Sequence, residues 1–410
     1  MLQPIPVAHK HLVDYASLVG RELVEEIRER AGRLRGKRIL HVSATAFGGG
    51  VAEILYTLVP LMVDVGLECE WQVMYGREEF FNATKVMHNA LQGNPQDLDP
   101  DQWEIWRHFN ELNAAELSGD WDVCIVHDPQ PAALPCLVPA NARRWVWRCH
   151  IDLSTPNPAT LARLLPYLDP YSAAVFHMPA YVPPGIDGRA RIVPPAIDPL
   201  APKNMAFSPD DAAYICQQFG IDPDRPLLCQ VSRFDPWKDP VGVIDAYRIV
   251  KEQHPDVQLA LVGSMATDDP EGWDFFNATV AHADGDPDIY ILNNLNNVGA
   301  IEVNAFQSHC DVVIQKSTRE GFGLTVTEAI WKARPFIGGN VGGIPLQIAD
   351  GETGFLVSSV QECAQRAVEI LGDPELGRRL GRAGKETVRR RFLTPRLLRD
   401  WLELLEAIDA

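Results

Sequence analysis

The sequence predicts an α/β protein made of two Rossmann-like, doubly wound parallel-sheet domains facing across a cleft, and three observations carry that expectation. Apolar runs of strand length alternate with helix-length amphipathic segments along most of the 410 residues. Those runs lack polar alternation, as strands covered on both faces do, and helix-length crossovers between them demand parallel pairing. The series also restarts near residue 200, and a chain of this length suits two cores of roughly 200 residues each.

In the first half the expected strands cover 38–43, 68–74, 122–127, 144–150, 173–177 and 191–194. In the second they cover 226–232, 257–263, 288–292, 311–315, 335–338 and 354–357. Between the first strands lie helical patterns such as Leu18, Leu23, Ile27, Ala31 and Leu34, spaced to line one helix face. The segment Val193–Lys203 holds four prolines in eleven residues, which neither a helix nor an interior strand tolerates, so it reads as an interdomain linker. Domains are therefore expected at 1–198 and 199–389. Ser208 is placed to cap the next helix, with Asp210 and Asp211 in its first turn.

Composition removes several classes of partner. The net charge of −18 argues against nucleic acid and anionic membrane, both of which need a basic surface. No run of about 18 apolar residues is present, and the N-terminus lacks the basic-then-apolar pattern of a signal peptide, so the expected location is cytoplasmic. Cys69, Cys124, Cys136, Cys149, Cys216, Cys229, Cys310 and Cys363 form no CxxC pair. Their settings predict buried free thiols, with neither a zinc site nor a disulfide framework.

Three motifs carry chemistry. Thr45-Ala-Phe-Gly-Gly-Gly-Val-Ala-Glu53 follows the first strand and opens a helix, so Gly49 and Gly50 let a phosphate or sugar approach the backbone. Its spacing is not that of a dinucleotide fingerprint. Ser232-Arg-Phe-Asp-Pro-Trp-Lys-Asp239 follows the first strand of the second half. There Arg233 and Lys238 can grip a diphosphate, while Asp239 and Pro240 start a helix. The third is Ser317-Thr-Arg-Glu-Gly-Phe-Gly-Leu-Thr-Val-Thr-Glu-Ala329. Glu320 is expected in the loop and Glu328 about two turns into the following helix. Gly321, Phe322 and Gly323 shape the approach, and Leu324 and Thr325 supply helix N-terminal amides to an anion.

Glu320 and Glu328, with seven residues between them in EGFGLTVTEA, resemble the signature of retaining glycosyltransferase family 4, and SRFDPWKD is similar to that family's phosphate-gripping element. The motif order covers nearly the whole chain. The resemblance implies a GT-B fold, with an N-terminal acceptor-binding domain, a C-terminal nucleotide-sugar domain and a final segment, 390–410, whose helix Leu397–Ile408 returns to the first domain. The strings FGGGVAEIL, HDPQP, WRCHIDLS and SRFDPWKDP look like the trehalose-synthesising members. They imply reversible transfer of glucose from a nucleoside diphosphate glucose to free glucose, giving trehalose. The related phosphorylases, usually longer, and other family 4 transferases with different acceptors are the alternatives.

By the same resemblance Arg233 and Lys238 neutralise the leaving diphosphate, Glu328 holds the ribose and Glu320 the donor glucose. His150 contacts that glucose near its 6-hydroxyl. Asp128, Gln130 and Asp152 are candidates for the acceptor, and Gly49 and Gly50 for the inner wall. No carboxylate stands out as a nucleophile, and the resemblance implies front-face attack with retention, the departing phosphate taking the acceptor's proton. No tightly bound cofactor is expected and no metal ligands stand out, which leaves Mg²⁺ at most a stimulant. The segment Asn293–Val298 is expected beside the base without choosing among UDP, ADP and GDP, and a homodimer is the expected assembly. A nicotinamide oxidoreductase is the main rival class, with Glu68 and Glu70 standing about 20 residues past the glycine loop.

Overall fold

Parallel strands buried on both faces need apolar side chains at every position and a covered crossover to the next strand. The computed structural model, which describes residues 2–47, 49–138, 142–265 and 270–409, answers that demand twice. It divides into two units, Met1–Ala196 with Thr394–Ala410, and Ile197–Leu393.

Unit 1 carries β1 (Gln3–Pro4), β2 (Arg38–Ser43), β3 (Glu68–Val73), β4 (Trp121–His127), β5 (Ala142–Arg148), β6 (Ala173–Phe176) and β7 (Ala190–Ile192). Their order is β1-β3-β2-β4-β5-β6-β7. Six strands run parallel, and β1 adds an antiparallel edge through Gln3 opposite Val73. That edge strand departs from the all-parallel expectation. At two residues, one a proline, it has no periodicity to read, and an edge is where a strand tolerates proline. Trp106, Trp147, Phe80 and Phe176 are fully buried in the core.

The last helix, Thr394–Asp409, packs on the helices Arg21–Arg33 and Gly50–Asp64. It buries Leu397, Leu398, Trp401, Leu402 and Leu405 along one stripe. Arg396, almost wholly buried, donates to the carbonyls of Pro194 and Pro195, each at 2.9 Å, and so ties the helix to the end of the first chain segment. Arg30 adds a 2.9 Å pair with Glu406.

Unit 2 carries β8 (Leu227–Val231), β9 (Gln258–Gly263), β10 (Ile289–Asn293), β11 (Val312–Gln315), β12 (Phe336–Gly339) and β13 (Phe355–Val357), all parallel in the order β10-β9-β8-β11-β12-β13. Ser208 caps its first helix by accepting from the Asp211 amide at 3.1 Å. Asp239 caps the helix Pro240–Lys251 from a left-handed backbone, φ 49°, accepting from Gly242 N at 3.0 Å.

Strand order reverses between β2 and β4 in unit 1, and between β8 and β11 in unit 2. The crevice outside the carboxyl ends of strands at such a switch is where doubly wound sheets hold ligands. The loops after β2 and β4 carry Gly49, Gly50, Asp128 and Gln130. Those after β8 and β11 carry Arg233, Lys238 and Glu320. Glu68, which the oxidoreductase reading needs at a carboxyl end, instead opens β3 beside Arg38. Seven of the eight free cysteines are buried, but Cys136 is exposed, contrary to expectation, because the short turn Leu134–Leu137 faces Leu134 and Pro135 inward instead. No helix among the described residues is long and apolar enough to cross a membrane.

Candidate active site

In unit 2 the charges of both motifs meet. Lys238 donates from Nζ to Glu320 Oε2 at 2.6 Å, bringing together residues 82 positions apart. Ser317 Oγ reaches the same oxygen at 3.3 Å and is held by Gln315 Nε2 at 3.1 Å. The loop holding Lys238 is braced by Asp235, whose Oδ1 accepts from the Lys238 amide at 3.1 Å, and by Gln230, which donates to the Lys238 carbonyl at 2.8 Å. Lys316 pairs with Asp239 beneath them. Arg233 reaches outward, its side chain 67% exposed, with Asp235 Oδ2 at 3.2 Å.

The Glu320 loop is pressed against its neighbours by glycines. A Cβ on Gly339 would lie 2.2 Å from the Ser317 carbonyl, and one on Gly343 2.7 Å from that of Gly321. Gln347 donates to the Phe322 carbonyl at 2.6 Å. Gly323, at φ 82°, turns the chain into the helix Leu324–Trp331. The amides of Leu324 and Thr325 open that helix with no hydrogen-bond partner among the described residues, leaving two donors at its positive end. Glu328 lies only about one turn into this helix rather than two, since the loop runs through Gly323 before the first helical residue.

Glu328 is 1% exposed and pairs with Lys203 Nζ at 2.6 Å. Lys203 sits in the proline-rich segment that sequence reasoning took for a plain linker. Lys332, also near Glu328, has its ammonium pushed down to about 8, first by burial and further by Lys203, although Glu328 opposes the shift. Asn293 is buried and caps the turn Asn294–Asn296 by accepting from Leu295 N at 2.8 Å.

In unit 1 the site residues are neutral or held by backbone. Asp128 has a left-handed φ of 66° and accepts the His150 amide on Oδ1 at 2.7 Å. Its other carboxylate oxygen takes no hydrogen bond among the described residues. Burial pushes its carboxyl up to about 7, although the His150 amide and the Arg148 cation both favour the charged form. Asp152 is buried and accepts from Ser154 N at 2.8 Å. Gln130 keeps its carbonyl on Asn110 Nδ2 at 2.9 Å, and its side-chain Oε1 is buried without a partner among the described residues. Gly49, at φ 124°, precedes the helix Gly50–Asp64, and a Cβ there would meet nothing within 4 Å, so the approach to that helix start is open. Gly48 lies outside the described residues.

His150 brings a feature that sequence reasoning missed. His41 Nδ1 and His127 Nε2 are 2.9 Å apart, and so are His127 Nδ1 and His150 Nε2. The rings stack with centroids 5.2 Å apart in both pairs. His177 stands edge-on to His150 at 5.7 Å. Burial pushes His41 down to about 3 and holds His127, His150 and His177 well below 6.5, helped by the buried Arg148 guanidinium. A readable signal did exist, a histidine after each apolar run in Ile-Val-His127, Arg-Cys-His150 and Val-Phe-His177. No group of three or more His, Cys, Asp or Glu side chains among the described residues is arranged to hold a metal ion.

Comparison with known proteins places these arrangements. The model described as trehalose synthase, N-terminal domain, matches residues 41–183, and that of group 1 glycosyl transferases matches 213–387. A trehalose synthase of Rubrobacter xylanophilus is 58% identical over 410 residues, covering 98% of each chain. One from Pyrococcus horikoshii is 46% identical, covering 97% of each. Among solved structures, a UDP-forming α,α-trehalose-phosphate synthase of Burkholderia xenovorans in complex with glucose-6-phosphate aligns with TM-score 0.70. It does so at 14% identity, over 91% of this chain and all of that one, and so shares the fold. With the glutamate pair, the paired lysines and two parallel α/β sheets in hand, the chain belongs to the trehalose synthase family of GT-B glycosyltransferases.

Proposed function

We propose that the chain moves glucose from a nucleoside diphosphate glucose to free glucose, reversibly and with retention at the anomeric carbon, forming trehalose. The observation that carries this reading is the Lys238–Glu320 pair at 2.6 Å beside the two open amides of Leu324 and Thr325. A cation and a helix start favour a diphosphate, and a buried carboxylate favours sugar hydroxyls. The names of the two trehalose synthases compared above support the disaccharide.

In this reaction Arg233 and Lys238 take up the negative charge that builds on the departing diphosphate, a contact stronger in the transition state than in the ground state. Glu320, relieved of Lys238 as the phosphates arrive, accepts from the donor glucose, and Glu328 accepts from the ribose. Gly321, Phe322 and Gly323 form the backbone under the sugar. His150 binds the donor glucose, while Asp128, Gln130 and Asp152 bind the accepting glucose beside Gly49 and Gly50. The departing phosphate takes the acceptor's proton. No tightly bound cofactor is needed, and Mg²⁺ at most stimulates by screening the diphosphate.

Incubating the purified protein with trehalose and UDP, ADP or GDP, followed by NMR, tests the reading. Free glucose and an α-anomeric nucleotide-glucose are expected. A β-anomeric product, a requirement for inorganic phosphate, or no reaction with any of the three nucleotides would overturn it.

A further inference from the structure

His41, His127, His150 and His177 fall on or just beyond the neighbouring strands β2, β4, β5 and β6, one histidine to each. Both hydrogen bonds of the chain run in one sense, from Nδ1 of one ring to Nε2 of the next. Burial keeps the rings neutral, helped at His127 and His150 by the Arg148 cation, and a neutral imidazole has a single ring proton. Three rings joined this way have only two consistent arrangements. Either every ring is protonated on Nδ1, or every ring is protonated on Nε2. Any mixture puts two protons, or two lone pairs, into one 2.9 Å contact.

The outer end decides between them. His41 Nε2 is buried with no hydrogen-bond partner among the described residues. A proton there would be a buried unsatisfied donor, the costly and rare case, whereas a bare lone pair is better tolerated. At the inner end His150 is only half-buried, and its Nδ1 is the ring nitrogen outside the chain.

We propose that His41 and His127 are positioning residues that lock His150 in the Nδ1–H tautomer, so that unit 1 presents a fixed hydrogen-bond donor to a sugar oxygen. The sugar's place at His150 rests on the function proposed above; the tautomer itself does not. Locking removes the choice a solvated imidazole would have and aims one N–H at the ligand before it arrives. The group bound there must accept a hydrogen bond. A donor sugar whose 6-hydroxyl is replaced by hydrogen, or by an ammonium group, is a poor substrate.

The test is long-range ¹H–¹⁵N correlation on the full-length protein labelled at histidine, with resonances assigned by single substitutions. His41, His127 and His150 are expected as Nδ1–H tautomers at pH 7.5. An Nε2–H tautomer or an imidazolium at His150 overturns the inference whatever the activity. His127→Phe keeps an aromatic ring but breaks both hydrogen bonds, and is expected to release the tautomer and lower kcat/KM for the donor about tenfold. His127→Gln, with one acceptor and one donor, restores most of that loss. Unchanged kcat/KM in His127→Phe overturns the positioning role. Full activity of His150→Ala with the Nδ1–H tautomer intact in the parent would leave the relay standing and sink the placement of the sugar.

Discussion

The two units present opposite electrostatics at equivalent places in their sheets. At the switch between β8 and β11, unit 2 offers side chains already engaged in ion pairs, Lys238 with Glu320 and Lys316 with Asp239, and the helix after β11 adds Glu328 with Lys203. Around the switch between β2 and β4, unit 1 offers neutral imidazoles and a carboxyl held near neutrality by burial. The difference suits two kinds of ligand. A diphosphate has to be met by cations, and here these cations are kept from isolation by carboxylates. A neutral sugar gains nothing from ions and is best met by fixed, desolvated donors and acceptors.

The largest effect should come from the charged side. Lys238→Ala is expected to lower kcat by about 10² to 10³, or about 3–4 kcal/mol of transition-state stabilisation, with the fold intact by circular dichroism. Turnover within about threefold of the parent would break the assignment of Lys238 to the phosphate.

Unit 1 should show its character in acid. His41, His127 and His177 are held neutral by burial when folded, but titrate near 6.5 when unfolded. Below that pH the unfolded chain binds more protons, so their contribution is fully present above 6.5 and is lost as pH falls. From pH 6.5 to 5.5 the loss should be about 1 kcal/mol per imidazole, about 3 kcal/mol for the three, offset by about 1 kcal/mol from Asp128, whose carboxyl, raised to about 7 by burial, takes up a proton in the folded state over the same range. Urea unfolding at the two pH values, followed in unit 1, measures it. A unit 1 midpoint unmoved by that change would contradict neutral histidines.

Lys203→Ala leaves Glu328 without its 2.6 Å partner and should destabilise unit 2 by about 2 kcal/mol, while raising KM for the donor. Thermal unfolding and donor kinetics measured together check both halves. The smallest effect is the sharpest for the contrast itself. Raising salt from 0.05 to 0.5 M should raise KM for the nucleotide sugar a few-fold and leave KM for glucose unchanged, because only the first ligand is charged. Equal shifts would erase the distinction between the two halves.

Much of this molecule was legible in the chain because buried parallel strands leave little freedom. Every apolar run became a strand within two residues, and Ser208 and Asp239 cap helices where their side chains and neighbours said they would. The pairing of Lys238 with Glu320 was prepared by two separately recognised motifs. The rest needed three dimensions. His41, His127, His150 and His177 are far apart in sequence, and only the sheet order β2-β4-β5-β6 makes them neighbours. Lys203 was hidden by prolines that argued, rightly, for irregular backbone but said nothing about its side chain. The antiparallel β1 is too short for any periodicity, and the exposure of Cys136 depends on how one turn faces the core.

The most direct test of the central claim is the forward reaction with ¹³C-labelled glucose as acceptor and unlabelled UDP-, ADP- or GDP-glucose as donor, read by NMR. The account predicts an α,α-1,1-linked disaccharide labelled in one ring, with the nucleoside diphosphate released in equal amount. A β linkage, a label in both rings, or hydrolysis of the donor without any disaccharide would contradict it.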